Sequence, residues 1–173
     1  MFRSLRNIHK WVGLFSSVFL ALIAFTGFLL AIKKKANWIQ PPTQKGEKVE
    51  QLREVASIDQ IAAAALALGL PELKTHDDID RFEFHVSKNT FKITSKEGFR
   101  EVQVEAKTGK VLSTGTRNDQ MFEKIHDLSF FHPSLHEWVL PVVAVSLFVL
   151  GISGVIMFSV PIFRRWKYRR KQA

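Results

Sequence analysis

The chain has no cysteine. That excludes disulfides, iron–sulfur clusters, thiolate haem ligation and covalent c-type haem. Any metal or prosthetic group must be gripped by other atoms, and imidazole is the ligand type that remains best suited to iron. Acidic residues are absent from both ends: the first is Glu47 and the last is Glu137. Charge of either sign is absent from Val12 to Ile32 and from Trp138 to Phe163. There is no Walker loop, nucleotide fingerprint, HExxH pair or serine elbow, so the common hydrolytic and nucleotide-dependent chemistries have no motif to rest on. No spacing among Asp77, Asp78 and Asp80 matches a calcium loop, and there is no internal repeat or low-complexity tract.

What is present follows from those gaps. A bilayer core of about 30 Å takes roughly 20 apolar residues of helix, and both charge-free stretches are that long. The formal charge of +9 comes from the ends: Arg3, Arg6 and Lys10 before the first stretch, and Arg164, Arg165, Lys167, Arg169, Arg170 and Lys171 after the second. Basic flanks stay cytoplasmic, which predicts a hairpin with both termini inside and residues 33–137 outside. Lys33, Lys34 and Lys35 oppose this for the first span alone, and the six charges after the second span decide it. Those lysines also occupy the place of a signal-peptide cleavage site, so the first span reads as an uncleaved anchor. The basic balance thus has a membrane explanation and calls for no nucleic acid.

Between the spans, Asn37 to Glu54 is polar with Pro41, Pro42 and Gly46, and reads as a linker. Ser57-Ile-Asp-Gln60 is a capping box opening an Ala- and Leu-rich helix that Gly69 and Pro71 stop. Ile58, Ile61, Ala62, Ala65 and Leu66 share one face of it. Strand patterns follow: Phe82, Phe84 and Val86 alternate, Phe91–Thr94 continues, Val102, Val104 and Ala106 alternate again, and Val111–Leu112 starts a fourth strand after a turn at Lys107–Lys110. The prediction is an α+β domain, one helix on a small antiparallel sheet, flanked by two transmembrane helices.

The histidines carry the candidate chemistry. His9 lies at the inner mouth of the first span, where an ionisable group is costly and functional by default. Steps of four from it give Gly13, Ser17 and Ala21, with Ala24 and Gly27 nearby, a small-residue stripe that would admit a helix or a flat macrocycle. The bland reading is a headgroup-level residue beside Lys10 and Trp11. His126, His132 and His136 cluster at the outer mouth; a belt at the water boundary is the bland reading there too. Pro133 suits a first helical position, and Leu140, Ala144, Phe148 and Gly151 continue the His136 face. Pro141 should free the carbonyl of Glu137 and bend the helix. His76 and His85 read as solvated, and Met157 as packing bulk.

The first span, RNIHKWVGLFSSVFLALIAFTGFLL, resembles the first helix of the PepSY-associated transmembrane family through Arg6, His9, Trp11, Gly13, Thr26 and Gly27. The stretch from Ser57 to Ser113, ending EVQVEAKTGKVL, resembles a PepSY domain. The tail IHDLSFF…LFVLGISGVIMF, with Ser153-Gly154, resembles that family's last helix. The resemblance implies this division: a basic N-terminus (1–10), first span (11–32), linker (33–56), PepSY-like domain (57–117), amphipathic approach segment (118–133), second span (134–163) and basic tail (164–173). It also implies an electron-transfer protein of the bacterial inner membrane. Larger members of the family resemble ferric-siderophore reductases whose helix histidines hold b-type haem. His9, His126, His132 and His136 are then the cofactor-binding candidates, with His9, His126 and His136 as iron ligands, and the expected product is ferric or other extracytoplasmic reduction. With two spans, axial pairs require a homodimer or a larger redox complex. The alternative is a membrane-anchored binding module without cofactor that docks or restrains an extracytoplasmic protein such as a peptidase.

Overall fold

A computed structural model describes residues 2–170. Lys171, the last charge of the basic tail, lies outside them. The architecture is α+β: a four-stranded antiparallel sheet with helices, and a long apolar helix at each end of the chain. The described residues form two compact units, one of 29–122 and one of 2–28 with 123–170.

In the first unit, strands β1 (Ile79–His85), β2 (Thr90–Ser95), β3 (Arg100–Glu105) and β4 (Val111–Thr116) pair in sequence order as an antiparallel meander. One face carries Phe91, Ile93, Val102 and Val104, and helix α2 (Ile58–Leu66) covers it with Ile61 and Ala65. The alternation expected on this face holds, with two departures. Val86 leaves the strand for a short turn over 86–88 and is exposed, because Asn89 takes a left-handed conformation that reverses the chain there. Ile58, in the first turn of α2, is also exposed.

The capping box is formed in both directions. The amide of Gln60 donates to Oγ of Ser57 at 3.3 Å, and the amide of Ser57 donates to Oε1 of Gln60 at 3.2 Å. Ser57→Ala leaves one of these donors unpaired and should cost about 1 kcal/mol, a fall of about 4–8 °C in the melting midpoint of a unit this size. Calorimetry on the full chain checks it.

The other sheet face is not left to water. Thr90, Lys92, Thr94, Glu101, Gln103 and Glu105 all point there and all are buried. The cover is the polar segment read above as a linker. Its amides at Gln44 and Glu47 donate to the side chains of Gln103 and Glu105, both at 2.7 Å. Thr90 Oγ1 donates to the carbonyl of Gln44, and Gly46 donates to the carbonyl of Lys88. Ile39 is wholly buried. Gly115 of β4 makes this approach feasible, since a Cβ there would stand 2.6 Å from Cγ of Pro41.

The second unit holds α1 (Phe2–Ile32) up to residue 28, the end of α3 (Asn118–His126), and α4 (Leu140–Arg170). Pro133 opens the last helical run. A wide π turn over Leu135–Val139 then precedes α4, so Pro141 falls in the first turn of α4. That turn absorbs the carbonyl that proline cannot serve. The proline inside α4 is Pro161.

Candidate functional site

Burial along α1 and α4 marks the seam of the second unit. On α1 the covered positions run His9, Val12, Ser16, Phe19, Ile23 and Thr26; on α4 they run Val143, Ser146, Leu150, Ser153, Met157 and Val160. Steps of three and four alternate, averaging 3.5 residues, as a left-handed helix pair requires. The small-residue stripe expected at steps of four is therefore not the seam. A step of four overshoots a full turn by about 40°, so Ser17, Ala21 and Ala24 rotate out and are exposed. The face proposed for His136 turns away for the same reason, leaving Ala144, Phe148 and Gly151 exposed.

Two histidines sit on this seam, one near each end. Nδ1 of His9 lies 2.7 Å from Oγ of Ser153. That hydroxyl donates back to the carbonyl of Val149 at 2.7 Å, with Leu150 at 3.1 Å, as helical serines do. With its proton directed to that carbonyl the oxygen is free to accept, which favours the hydrogen on Nδ1 of His9. Nε2 keeps a bare lone pair. At the other end, Nδ1 of His126 lies 3.0 Å from Oγ1 of Thr26, and Thr26 donates to the carbonyl of Leu22 at 2.8 Å. The same argument leaves Nε2 of His126 bare.

Each imidazole also rests on the glycine that follows its hydroxyl partner. Cε1 of His9 would be 3.7 Å from a Cβ on Gly154, and Cε1 of His126 only 3.2 Å from a Cβ on Gly27. Thr26-Gly27 and Ser153-Gly154 are thus two copies of one device: a hydroxyl fixes the ring's tautomer and a glycine makes room for it. Along α1 the two levels are 17 residues apart, about 25 Å. Gly27→Leu should push the His126 ring off Thr26. The nitrogen resonances of His126 in labelled protein should then report a mixed tautomer, while those of His9 stay put.

The remaining outer histidines divide. His136 is exposed, and its Nδ1 donates to the carbonyl of Asp127 at 3.0 Å; a carbonyl can only accept, so Nε2 is again bare. His132 is also exposed, but its Nδ1 accepts from the amide of Ser134 at 3.1 Å, which puts the ring hydrogen on Nε2. Of the four sequence candidates, His9, His126 and His136 thus offer the nitrogen that usually meets iron, and His132 does not. No group of three His, Cys, Asp or Glu is gathered among the described residues.

The first unit holds a set of residues that alternation concealed. Glu101 accepts from Arg117 at 2.9 Å and faces Lys92 at 3.3 Å, while Arg117 grips both oxygens of Asp119 at 2.7 and 2.8 Å. Lys33 closes the chain on Asp119 at 3.5 Å. Burial opposes charge on Asp119, but the hydrogen bonds and charge of Arg117, with Lys33 behind, hold its pKa below the ordinary carboxylate value. Burial likewise opposes charge on Arg117, and Asp119 and Glu101 outweigh it, leaving the guanidinium pKa raised. Glu105 is lowered first by Thr108, which donates to it, and then by the amide of Glu47. The signal available in the sequence was charge placement: Lys92, Glu101 and Gln103 share one sheet face, and Arg117 and Asp119 are two apart.

Two apolar helices that span far enough to cross a bilayer, with an α+β unit between them in the chain, define a two-span membrane protein. The family model for the PepSY-associated TM region matches residues 6–173, and the chain belongs to that family. A search of curated proteins finds no match.

Proposed function

We propose that this chain is an electron-transfer protein of the bacterial cytoplasmic membrane that holds b-type haem through His9 at the inner level and through His126, with His136, at the outer level. Both termini lie in the cytoplasm and residues 33–137 lie outside, as the basic ends favour. The observation that carries the proposal is the pairing of each seam histidine's Nδ1 with a helix hydroxyl, an arrangement that favours the Nδ1–H tautomer. A ligating histidine ordinarily donates its second ring nitrogen to a neighbouring oxygen, which orients the ring and raises its basicity. Ser153 and Thr26 provide that oxygen, and the family's glycines thin the facing helix beside each ring.

The residues fit the group in ligand type: imidazole is the ligand available in a chain without cysteine, and a hydroxyl and a glycine stand against each ring. When bound, haem supplies a one-electron couple whose potential the axial ligands and local dielectric set. The chain's own part is to hold Nε2 unprotonated, keep water from the ring and fix its angle. The two levels stand too far apart to share one iron, so His9 would need a second ligand from another chain, while a group at the outer level could draw on both His126 and His136. A homodimer supplies His9 twice at one level and the outer histidines twice at the other; a subunit of a larger membrane redox complex serves equally.

Purification in mild detergent from haem-supplied cells, followed by a reduced-minus-oxidised spectrum, tests the proposal. A narrow low-spin b-type spectrum is expected, and a colourless preparation sinks it. The competing reading, a cofactor-free docking module, predicts that His9→Ala with His126→Ala leaves activity in cells unchanged.

A further inference from the structure

The covered face of the sheet has a gap in its cover. The segment over residues 40–47 is strapped to β3 and the start of β2, where Gln103, Glu105 and Thr90 hold it. It does not reach across β1. A cavity of about 500 Å³ is left there, roofed by residues 40–43, with Glu83, His85 and Lys92 of the sheet and Arg117 as its floor and Lys34 and Lys88 on its rim.

The charges in this cavity do not balance. Lys92 and Arg117 are matched behind the floor by Glu101 and Asp119. Lys34 and Lys88 are exposed and form no ion pair among the described residues. Glu83 is the one carboxylate lining the cavity. It stands 3.6 Å from Nε2 of His85, a nitrogen that is closed to solvent and has no hydrogen-bond partner. That pairing takes Glu83 and His85 toward each other and leaves the two rim lysines as the cations facing the opening. Lys34 also comes two residues after the end of α1. In sequence, then, one rim lysine directly follows the first apolar helix.

We infer that this cavity binds an oxyanion of the phosphate class, gripped by Lys34 and Lys88 at the rim, and carried either by an anionic lipid headgroup or by free phosphate. Lysine ammonium groups suit such an anion as point charges. The inference is independent of haem: it concerns the other unit and would stand if the histidines of the helices held nothing.

The test uses the full chain in nanodiscs of zwitterionic lipid, with and without anionic phosphatidylglycerol, and a titration of inorganic phosphate against chloride at matched ionic strength. Hydrogen exchange over residues 40–47 and 83–92 is the readout. Protection by phosphate in zwitterionic discs identifies a free anion; protection by phosphatidylglycerol alone identifies a headgroup. Lys34→Gln and Lys88→Gln should each weaken the effect about tenfold, the scale of one charge-assisted hydrogen bond, while Lys45→Gln, an exposed lysine that does not line the cavity, leaves it unchanged. Equal protection by chloride, no protection by either source, or an undiminished response in the Lys34→Gln Lys88→Gln double variant overturns the inference.

Discussion

Alanine at His9 and at His126 should each remove one class of bound haem, and the double substitution should leave the purified protein colourless. The effect is large because each ring is the sole fixed donor at its level of the seam. The neighbouring hydroxyls should matter less and in a graded way. Ser153→Ala and Thr26→Val keep the ligand but release its tautomer, which typically costs 10–100-fold in affinity. His132→Ala should change nothing, because its Nε2 carries the hydrogen. That ordering separates ligation from a merely structural role. If these rings only clasp helices together, hydroxyl and histidine substitutions should act alike, since each breaks the same hydrogen bond.

The second large effect belongs to the buried charges of the outer unit. Arg117→Ala removes the partner shared by Glu101 and Asp119 and leaves two buried carboxylates short of a cation. Breaking a buried pair in this way costs about 3–5 kcal/mol. That is a sizeable share of the 5–15 kcal/mol typical of a whole domain. Native-state hydrogen exchange at β2 and β3 should therefore speed by about two to three decades, at 1.4 kcal/mol per tenfold. Lys92 and Lys33 remain to offset part of the loss, so the lower end of that range is expected. Acid acts on the same group. Because the folded pKa of Asp119 is depressed, its contribution is complete above the ordinary carboxylate value near 4 and is lost as pH falls below it. Glu105 titrates in the same direction. The unit should thus lose stability on acidification below about pH 4, and Asp119→Asn should flatten that dependence while lowering stability at neutral pH.

The sequence disclosed most of the fold because two strong periods were present. The uncharged runs announced the spans, and Phe82, Phe84, Val102 and Val104 announced the face that α2 covers. The other face stayed hidden because alternation treats every second polar residue as solvated. Lys92 and Glu101 are polar on the page and buried in the fold, and what buries them is a proline-containing segment whose one fully buried apolar residue is Ile39. A strap made of backbone hydrogen bonds leaves no hydrophobic pattern to read.

The contacts of the candidate histidines were not legible in the sequence. His9 stood out at the inner mouth and His126, His132 and His136 together at the outer one, and the Thr-Gly and Ser-Gly pairs were visible in the spans. That Thr26-Gly27 serves His126, and Ser153-Gly154 serves His9, follows from the 3.5-residue seam. The four-residue steps taken from His9 passed through Ser17 where the buried serine is Ser16. One residue of register on a helix is about 100°, enough to move a side chain from the seam to the lipid.

The account rests on which ring nitrogen carries the proton. Long-range nitrogen–proton spectra of the full chain labelled at histidine, recorded in detergent at neutral pH, read this directly. The hydrogen is predicted on Nδ1 in His9, His126 and His136 and on Nε2 in His132, and haemin should shift the bare Nε2 signals of His9 and His126 while leaving His132 in place. Nε2–H tautomers at His9 and His126, or signals from both that ignore haemin, would contradict it.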